Sequence, residues 1–442
     1  MFTFNDNTPV SFQDELPEKS DVVIIGAGVI GISTAWFLRQ RGLSVVVCDK
    51  GRVAGEQSSR NWGWVRSTGR DPYEVPIAMA STNLWEQFQK ELGDGIGFTR
   101  RGIAMLINND KEMAECEQWL DVAREYKLDT KLLTADEVDS TFGVPPGQWR
   151  GALYTASDGR AEPFTAVPTL AREAQARGVR IRENCAVRTV ERQAGRVSAV
   201  CTENGRIETQ QVLCAAGAWS SLFMHNLGVR FPQLTVKATV ARTESCDSVF
   251  DGAAGLHDIF IRRRQDGGYT IASEAFEHFI SANSFRYLLN FIPSLASVGD
   301  IRLRLGRDPS QQSFIAKKWN GDQVSPFEAN RVLNPEPSAS ILKLIRDKLS
   351  KRIPALANVH FAETWAGMID TTPDVVPVMD EVSSCPGLYL ASGFSGHGFG
   401  IGPGAGEVMA DLMTGKKPPY DMSRFRFSRF SDGSKLDPGP AI

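Results

Sequence analysis

Three glycines and one acid make the first chemical statement of the chain. Gly26, Gly28 and Gly31 stand in GxGxxG spacing within VVIIGAGVIGISTAWFLRQRGLSVVVCDKG, residues 22–51, and Asp49 closes the next apolar run. In this spacing the first glycine permits a tight turn. The second lets a pyrophosphate approach the backbone, and the third lets a helix pack close on a strand. An acid about 20 residues further on accepts hydrogen bonds from ribose hydroxyls. Four other sets of residues could do chemistry. Ser58 and Ser59 in GEQSSR carry hydroxyls that suit phosphate oxygens. Arg66 and Arg70 follow in WVRSTGRDPYE, where they could receive an acidic group. Arg262 in IFIRR offers a planar fork that suits a carboxylate. His397 stands inside GFSGHGFGIGPGAG, residues 393–406.

These residues need particular elements to hold them. Val22 to Ile25 are all β-branched and do not alternate with polar residues, as a buried parallel strand reads. The helix that follows runs to about Arg41, with Gly42 as its cap. Its first N–H groups and its dipole face the phosphates. A second strand, Ser44 to Cys48, delivers Asp49. A glycine motif set between a strand and a helix, and followed by an acid-ended strand, specifies a dinucleotide site. Ile259 to Arg262 reads as a strand before the turn Gln265 to Gly268, and Tyr269 opens the return strand. Alternation puts Phe260 and Arg262 on one face of it.

The identity of the dinucleotide follows from two observations. No second complete GxGxxG occurs, so a flavin plus a separate nicotinamide site is not expected. The downstream run 393–406 holds seven glycines and precedes EVMADLMTG, which reads as a helix closed by Gly415. Backbone N–H groups at such a helix entry would stabilise the negative charge that builds on a flavin ring during reduction. FAD is the cofactor that uses both features.

The motifs GAGVIGISTA, AGEQSSR, VLCAAGAWSSLFMHNLGV, IFIRRRQDGGY, ETWAGMIDTTPDVVPVMD and GHGFGIGP are collinear over most of residues 20–420. On these residues the chain resembles the D-amino-acid-oxidase-like family of FAD enzymes, which includes glycine oxidase, sarcosine oxidase and D-amino-acid dehydrogenase. The strongest likeness is to the bacterial flavin L-amino acid deaminases. The resemblance implies cofactor contacts at Gly26, Gly28, Val29, Ile30, Gly31, Asp49, Lys50, Ser58, Ser59, Asn61, Gly63 and Trp64. It adds the backbone of Val187 against the adenine and the turn at Ala216, Gly217 and Trp219. Gly396, His397, Gly398, Phe399 and Gly400 would support the flavin ring. It also implies that Arg262 holds a substrate carboxylate, and that Trp64 and His397 shape the reacting end. Relatives that bind FAD covalently carry a cysteine shortly before the TPD element. Trp365 to Asp374 has none, so non-covalent FAD is expected.

The implied fold is α/β: a Rossmann-like FAD-binding domain joined to a discontinuous antiparallel-sheet substrate domain. The cofactor domain is expected over 1–90, 151–225 and 355–442, and the substrate domain over 91–150 and 226–354. The implied activity is oxidation of the carbon–nitrogen bond of an amino acid or a secondary amine acid, with oxygen or a quinone-linked carrier taking the electrons. A 2-hydroxy-acid oxidoreductase and a flavin-binding subunit of a larger complex are the alternatives.

Totals limit the remaining classes. The chain has 442 residues, 42% hydrophobic and 23% charged, with a net charge of −3. That balance gives no reason to expect a nucleic-acid partner. Seven cysteines occur without a Cys-x-x-Cys pair, so no zinc or dithiol motif is expected. They read as reduced core cysteines of a cytoplasmic protein. The first 20 residues lack the apolar core of a signal peptide, and no run approaches the roughly 18 apolar residues of a membrane span. The stretch 284–307, with Arg302, Arg304 and Arg307 behind an apolar core, leaves open a peripheral contact with the inner face of a membrane. The end, SDGSKLDPGPAI, is expected to be a loose tail.

Overall fold

A computed structural model describes residues 4–295, 300–306 and 318–439, with the side chains of 293–295 left out. Arg307 and the last three residues of the expected tail lie outside the described residues. The opening motif folds as its pattern requires. β1 (Val22–Ile25) is buried on both faces, and its residues therefore have no polar alternation. α1 (Val29–Gln40) starts directly after the glycine turn, and Gly42 beyond its end takes φ +85°. β2 (Val45–Cys48) lies parallel to β1 and leads into Asp49.

Three further parallel strands and one antiparallel strand complete a six-stranded sheet. They are β3 (Arg180–Arg182), β4 (Gln211–Cys214), β5 (Val378–Glu381) and β6 (Leu388–Ser392), in the order β5–β6–β4–β1–β2–β3. β5 is the antiparallel one, and it pairs with β6. The strand order reverses on either side of β1, which leaves a crevice beyond the carboxyl ends of β1 and β4, where ligands bind in such sheets. A long helix, α2 (Val75–Leu92), and the last long helix, α3 (Gly398–Met413), cover one side together with α1.

The second unit is a ten-stranded, mostly antiparallel sheet. Its centre is the long strand Leu234–Thr243, paired along its length with Phe361–Thr371 and partly with Tyr269–Ser273. Ile259–Arg263 runs back against Tyr269–Ser273 with Arg263 opposite Tyr269, as the turn chemistry requires. Gly151–Thr155 and Phe361–Thr371 lie in stretches assigned from sequence to the cofactor side, yet both pair into this larger sheet.

Two readings need correction. The helix read at EVMADLMTG, after the glycine run, already begins at Gly398 inside that run. The glycines within it serve close packing. A Cβ on Gly402 would meet the Val29 side chain at 2.5 Å, one on Gly404 the Ile77 carbonyl at 2.7 Å, and one on Gly406 the Ser33 Cβ at 2.5 Å. The described part of the tail is not loose either. Arg424 reaches the Asp437 carbonyl, and Pro438 and Gly439 wall the main cavity.

Candidate active site

A single cavity of about 1080 Å³ runs from the glycine turn to the start of α3. Drug-sized ligands occupy pockets of roughly 300–1,000 Å³. The space therefore suits a dinucleotide with a small substrate beside it. At one end, Gly26 takes φ +105°, and a Cβ there would lie 2.5 Å from the Ala215 carbonyl. Gly28 faces Ser58 Oγ, which accepts from the Val29 N–H at 2.9 Å. Asp49 accepts from the N–H groups of Ala27 and Gly51, each at 2.7 Å. Burial is the largest influence on its carboxyl and lifts its pKa to about 6, against those N–H groups and the nearby Lys50. Lys50 bonds Glu56 at 2.6 Å and lies over the Trp219 ring, whose Nε1–H also meets Glu56. Val187, Ala216, Gly217 and Trp219 line the same end.

Asp370 ties this end to the other. Its Oδ2 accepts from the Gly393 N–H at 2.7 Å, from Gln233 Nε2 at 3.0 Å and from Ser392 Oγ at 3.2 Å. Gln57 Oε1 accepts from the Asp370 N–H at 3.4 Å. Burial pushes the Asp370 carboxyl up, and these donors oppose it. Sequence reasoning missed Gln57, Gln233 and Asp370. The sole signal was that Asp370 lies in ETWAGMIDTTPD and Gln57 in AGEQSSR.

At the far end, Trp62 stacks on Phe260 with ring centroids 4.5 Å apart, and Trp64 meets both rings edge-on. Asn61, Gly63, Trp64, Gly396, His397, Gly398 and Phe399 all border the cavity. Arg66 lies 5.7 Å from the Trp64 ring centroid, and burial brings its pKa down to about 9. The segment that carries it is held by buried Asp158, which accepts from the N–H groups of Ser67 and Thr68 and from Thr68 Oγ1. His397 Nδ1 lies 3.2 Å from Oε2 of fully buried Glu74. Burial, with the charge of Arg70, takes the imidazole down to about 4. Trp64 Nε1, Arg70 Nη1 and Glu74 Oε1 are buried atoms without a hydrogen-bond partner.

The structure does not bring Arg262 to this cavity. It is 2% exposed and its fork is filled: Nη1 and Nη2 meet the two oxygens of Glu162 at 2.9 and 3.2 Å, and Nε meets the Trp62 carbonyl. Alternation did put Arg262 on the face of Phe260, but it stands one step further along, behind the Trp62–Gly63 backbone. Its geometry is that of a clamp on the site wall. Ser59, Gly31 and Gly400 also stay outside the cavity. Ser59 Oγ turns to the Glu56 carbonyl. Gly31 lets α1 sit against Gly26, and Gly400 lets α3 approach the Trp64 carbonyl.

The cavity passes the test for FAD at both ends: a glycine cradle that side chains would fill, and a polar, tryptophan-walled end. Comparison with known proteins agrees. A profile described as FAD dependent oxidoreductase matches residues 21–412. The L-amino acid deaminase of Proteus myxofaciens, solved with anthranilate, superposes with a TM-score of 0.91 at 32% identity over 96% of each chain. The sarcosine oxidase subunit beta of an Arthrobacter species is 25% identical over 95% of this chain and 94% of its own length. Mouse mitochondrial sarcosine dehydrogenase is 24% identical over 94% of this chain, which spans only 42% of that longer protein. The glycine cradle, the continuous cavity and these matches lead to one statement: the chain belongs to the FAD-dependent oxidoreductase family.

Proposed function

We propose that this enzyme oxidises the carbon–nitrogen bond of an amino acid or a secondary amine acid. The observation that carries the reading is the composition of the cavity's far end. There an apolar wall of Trp62, Trp64 and Phe260 faces the cation Arg66 and the uncharged ring of His397. FAD, when bound, supplies a two-electron acceptor for the hydride that leaves the carbon beside nitrogen. The residues of the chain bind and orient the substrate. Arg66, backed by Arg70, takes the substrate carboxylate in place of Arg262. The tryptophan wall excludes water and packs the side chain. The resulting imine hydrolyses to an oxo acid or aldehyde plus ammonia or an amine. The electrons pass to oxygen or a quinone-linked carrier.

The six-stranded sheet and its helices form the cofactor domain in this reading, and the ten-stranded sheet forms the substrate domain. All seven cysteines are free thiols, which supports a reducing, cytoplasmic setting. Among the described residues no helix is long and apolar enough to cross a membrane. Leu289 and Leu305 are 81% and 88% exposed and stand off the cavity wall, which Phe285, Leu288 and Leu303 of the same stretch help to form. With Arg286 and Arg302 beside them, we read this face as resting on an anionic lipid surface.

The primary test is anaerobic bleaching of the flavin band near about 450 nm by D- and L-amino acids, proline and pipecolate analogues, sarcosine and simple amines. Bleaching by one group identifies the substrate class, and recovery on admitting air marks an oxidase. No bleaching by any amine, in protein loaded with FAD, would overturn the proposal and favour a hydroxy acid or a subunit role.

A further inference from the structure

Glu74 has no part in the reading above, yet it is the most completely buried acid at the reacting end. It is 0% exposed and stands just ahead of α2, where its own N–H bonds the Asp71 carbonyl. One oxygen, Oε2, lies 3.2 Å from His397 Nδ1, and the other has no partner. Burying a carboxylate is costly unless it meets donors or positive charge. Burial works to raise its pKa, while the hydrogen bond with His397 and the charges of Arg70 and Arg424 favour the ionised form. With Arg70 and Arg424 near it and an imidazole nitrogen 3.2 Å from Oε2, it is placed as an ionised acceptor. The proton shared with His397 must belong to Nδ1, and Nε2 is then left with its lone pair.

The remaining surroundings of His397 agree with this state. Arg66 and Arg70 face it from the loop before α2, and both disfavour a charged imidazolium. The ring is held from behind by Glu74 and from its own backbone by the bond of its N–H to the Phe394 carbonyl at 2.7 Å. Its side chain is 22% exposed, and the cavity is the space it borders. An acceptor nitrogen thus stands in the same chamber as the cation Arg66. An amino acid presents the matching pair, an N–H donor and a carboxylate, on one carbon.

We infer that Glu74 is a positioning residue that fixes His397 as the Nδ1–H tautomer, so that Nε2 accepts a hydrogen bond from the amino group of the substrate while Arg66 takes its carboxylate. The inference rests on the amino-acid reading and adds to it the group that recognises nitrogen. In this arrangement Glu74 acts through His397 alone, and its loss is felt by ligands that carry an amine and not by those that lack one.

Benzoate and anthranilate differ by a single amino group, and neither has a carbon–nitrogen bond that a flavin can oxidise in this way. Their dissociation constants are read from the shift of the flavin spectrum in the FAD-loaded enzyme. The wild type is expected to bind anthranilate about five- to tenfold more tightly than benzoate, the worth of one hydrogen bond. In Glu74→Gln, whose amide can donate to Nδ1 as readily as accept from it, that preference is lost while the benzoate constant stays the same. His397→Ala, which changes a ring on the cavity surface, gives the same pattern and serves if Glu74→Gln fails to load FAD. Arg66→Met weakens both ligands. In parallel, the imidazole nitrogen spectrum of ¹⁵N-labelled enzyme reports the tautomer without any ligand: Nδ1–H in the wild type, a mixture in Glu74→Gln. Equal weakening of both ligands in Glu74→Gln, or an Nε2–H tautomer in the wild type, overturns the inference. If neither acid binds the wild type, the carboxylate reading fails, and the nitrogen spectrum still decides the role of Glu74.

Discussion

At the residue scale, Arg262, which the resemblance implies as a carboxylate ligand, is instead paired inside the wall. Strand alternation told which face Arg262 occupies, but it could not tell what fills its fork, because Glu162 lies 100 residues away in the chain. Removing a partner from a buried pair leaves an uncompensated charge. Arg262→Met should therefore cost about 3 kcal/mol of stability, seen as a lower denaturation midpoint. Arg66→Met should weaken benzoate about tenfold. The reverse result would restore Arg262 as the carboxylate ligand. Asp49 was legible because the glycine motif carries its position with it, and its burial adds a pH dependence. Ribose hydroxyls donate to the charged carboxylate, so FAD favours the deprotonated form over one whose pKa is about 6. FAD affinity should be full above that value and should fall as the pH drops through it. Fluorescence titration with FAD across that range measures this, and Asp49→Asn should flatten the profile.

At the scale of elements, patterns of buried strands and a glycine turn were readable, since local sterics decide them. The start of α3 was not. Five glycines and a proline among the nine residues from Gly398 to Gly406 look like a loop when only propensity is weighed. The helix survives there because its backbone can approach α1 and α2 more closely than any side chain would allow. Gly406→Ala tests this directly. Its new methyl group would meet the Ser33 backbone carbon at 2.7 Å and Thr34 N at 2.8 Å, and neither can yield as a flexible side chain could. The substitution should cost about 1–3 kcal/mol by overpacking, with a lower melting temperature, although alanine is the better helix former. An unchanged or raised melting temperature would show that α1 and α3 are free to separate.

At the scale of the whole molecule, the family and the mixed α/β fold were legible, while the place of Pro438 and Gly439 in the cavity wall was not. Pro438 and Gly439 reach the wall because Arg424 joins the buried Asp71 at 3.0 Å and the Asp437 carbonyl, a meeting that no local pattern encodes. The exposed face around Leu289 and Leu305 belongs to this scale as well. Co-sedimentation with anionic phosphatidylglycerol vesicles should fall when Leu289 and Leu305 become serine, and it should weaken in high salt. Binding that ignores both changes would remove lipid as the partner. The interlocked helices have one more consequence. The first turn of α1 faces the pyrophosphate end, and His397 stands at the first turn of α3, with Gly402 and Gly406 seated against Val29 and Ser33. On the proposed reading, the nucleotide half of the cofactor and the amine of the substrate meet the neighbouring first turns of one interlocked helix pair. Whatever factor FAD adds to the affinity of a ligand at His397, that ligand must return to FAD.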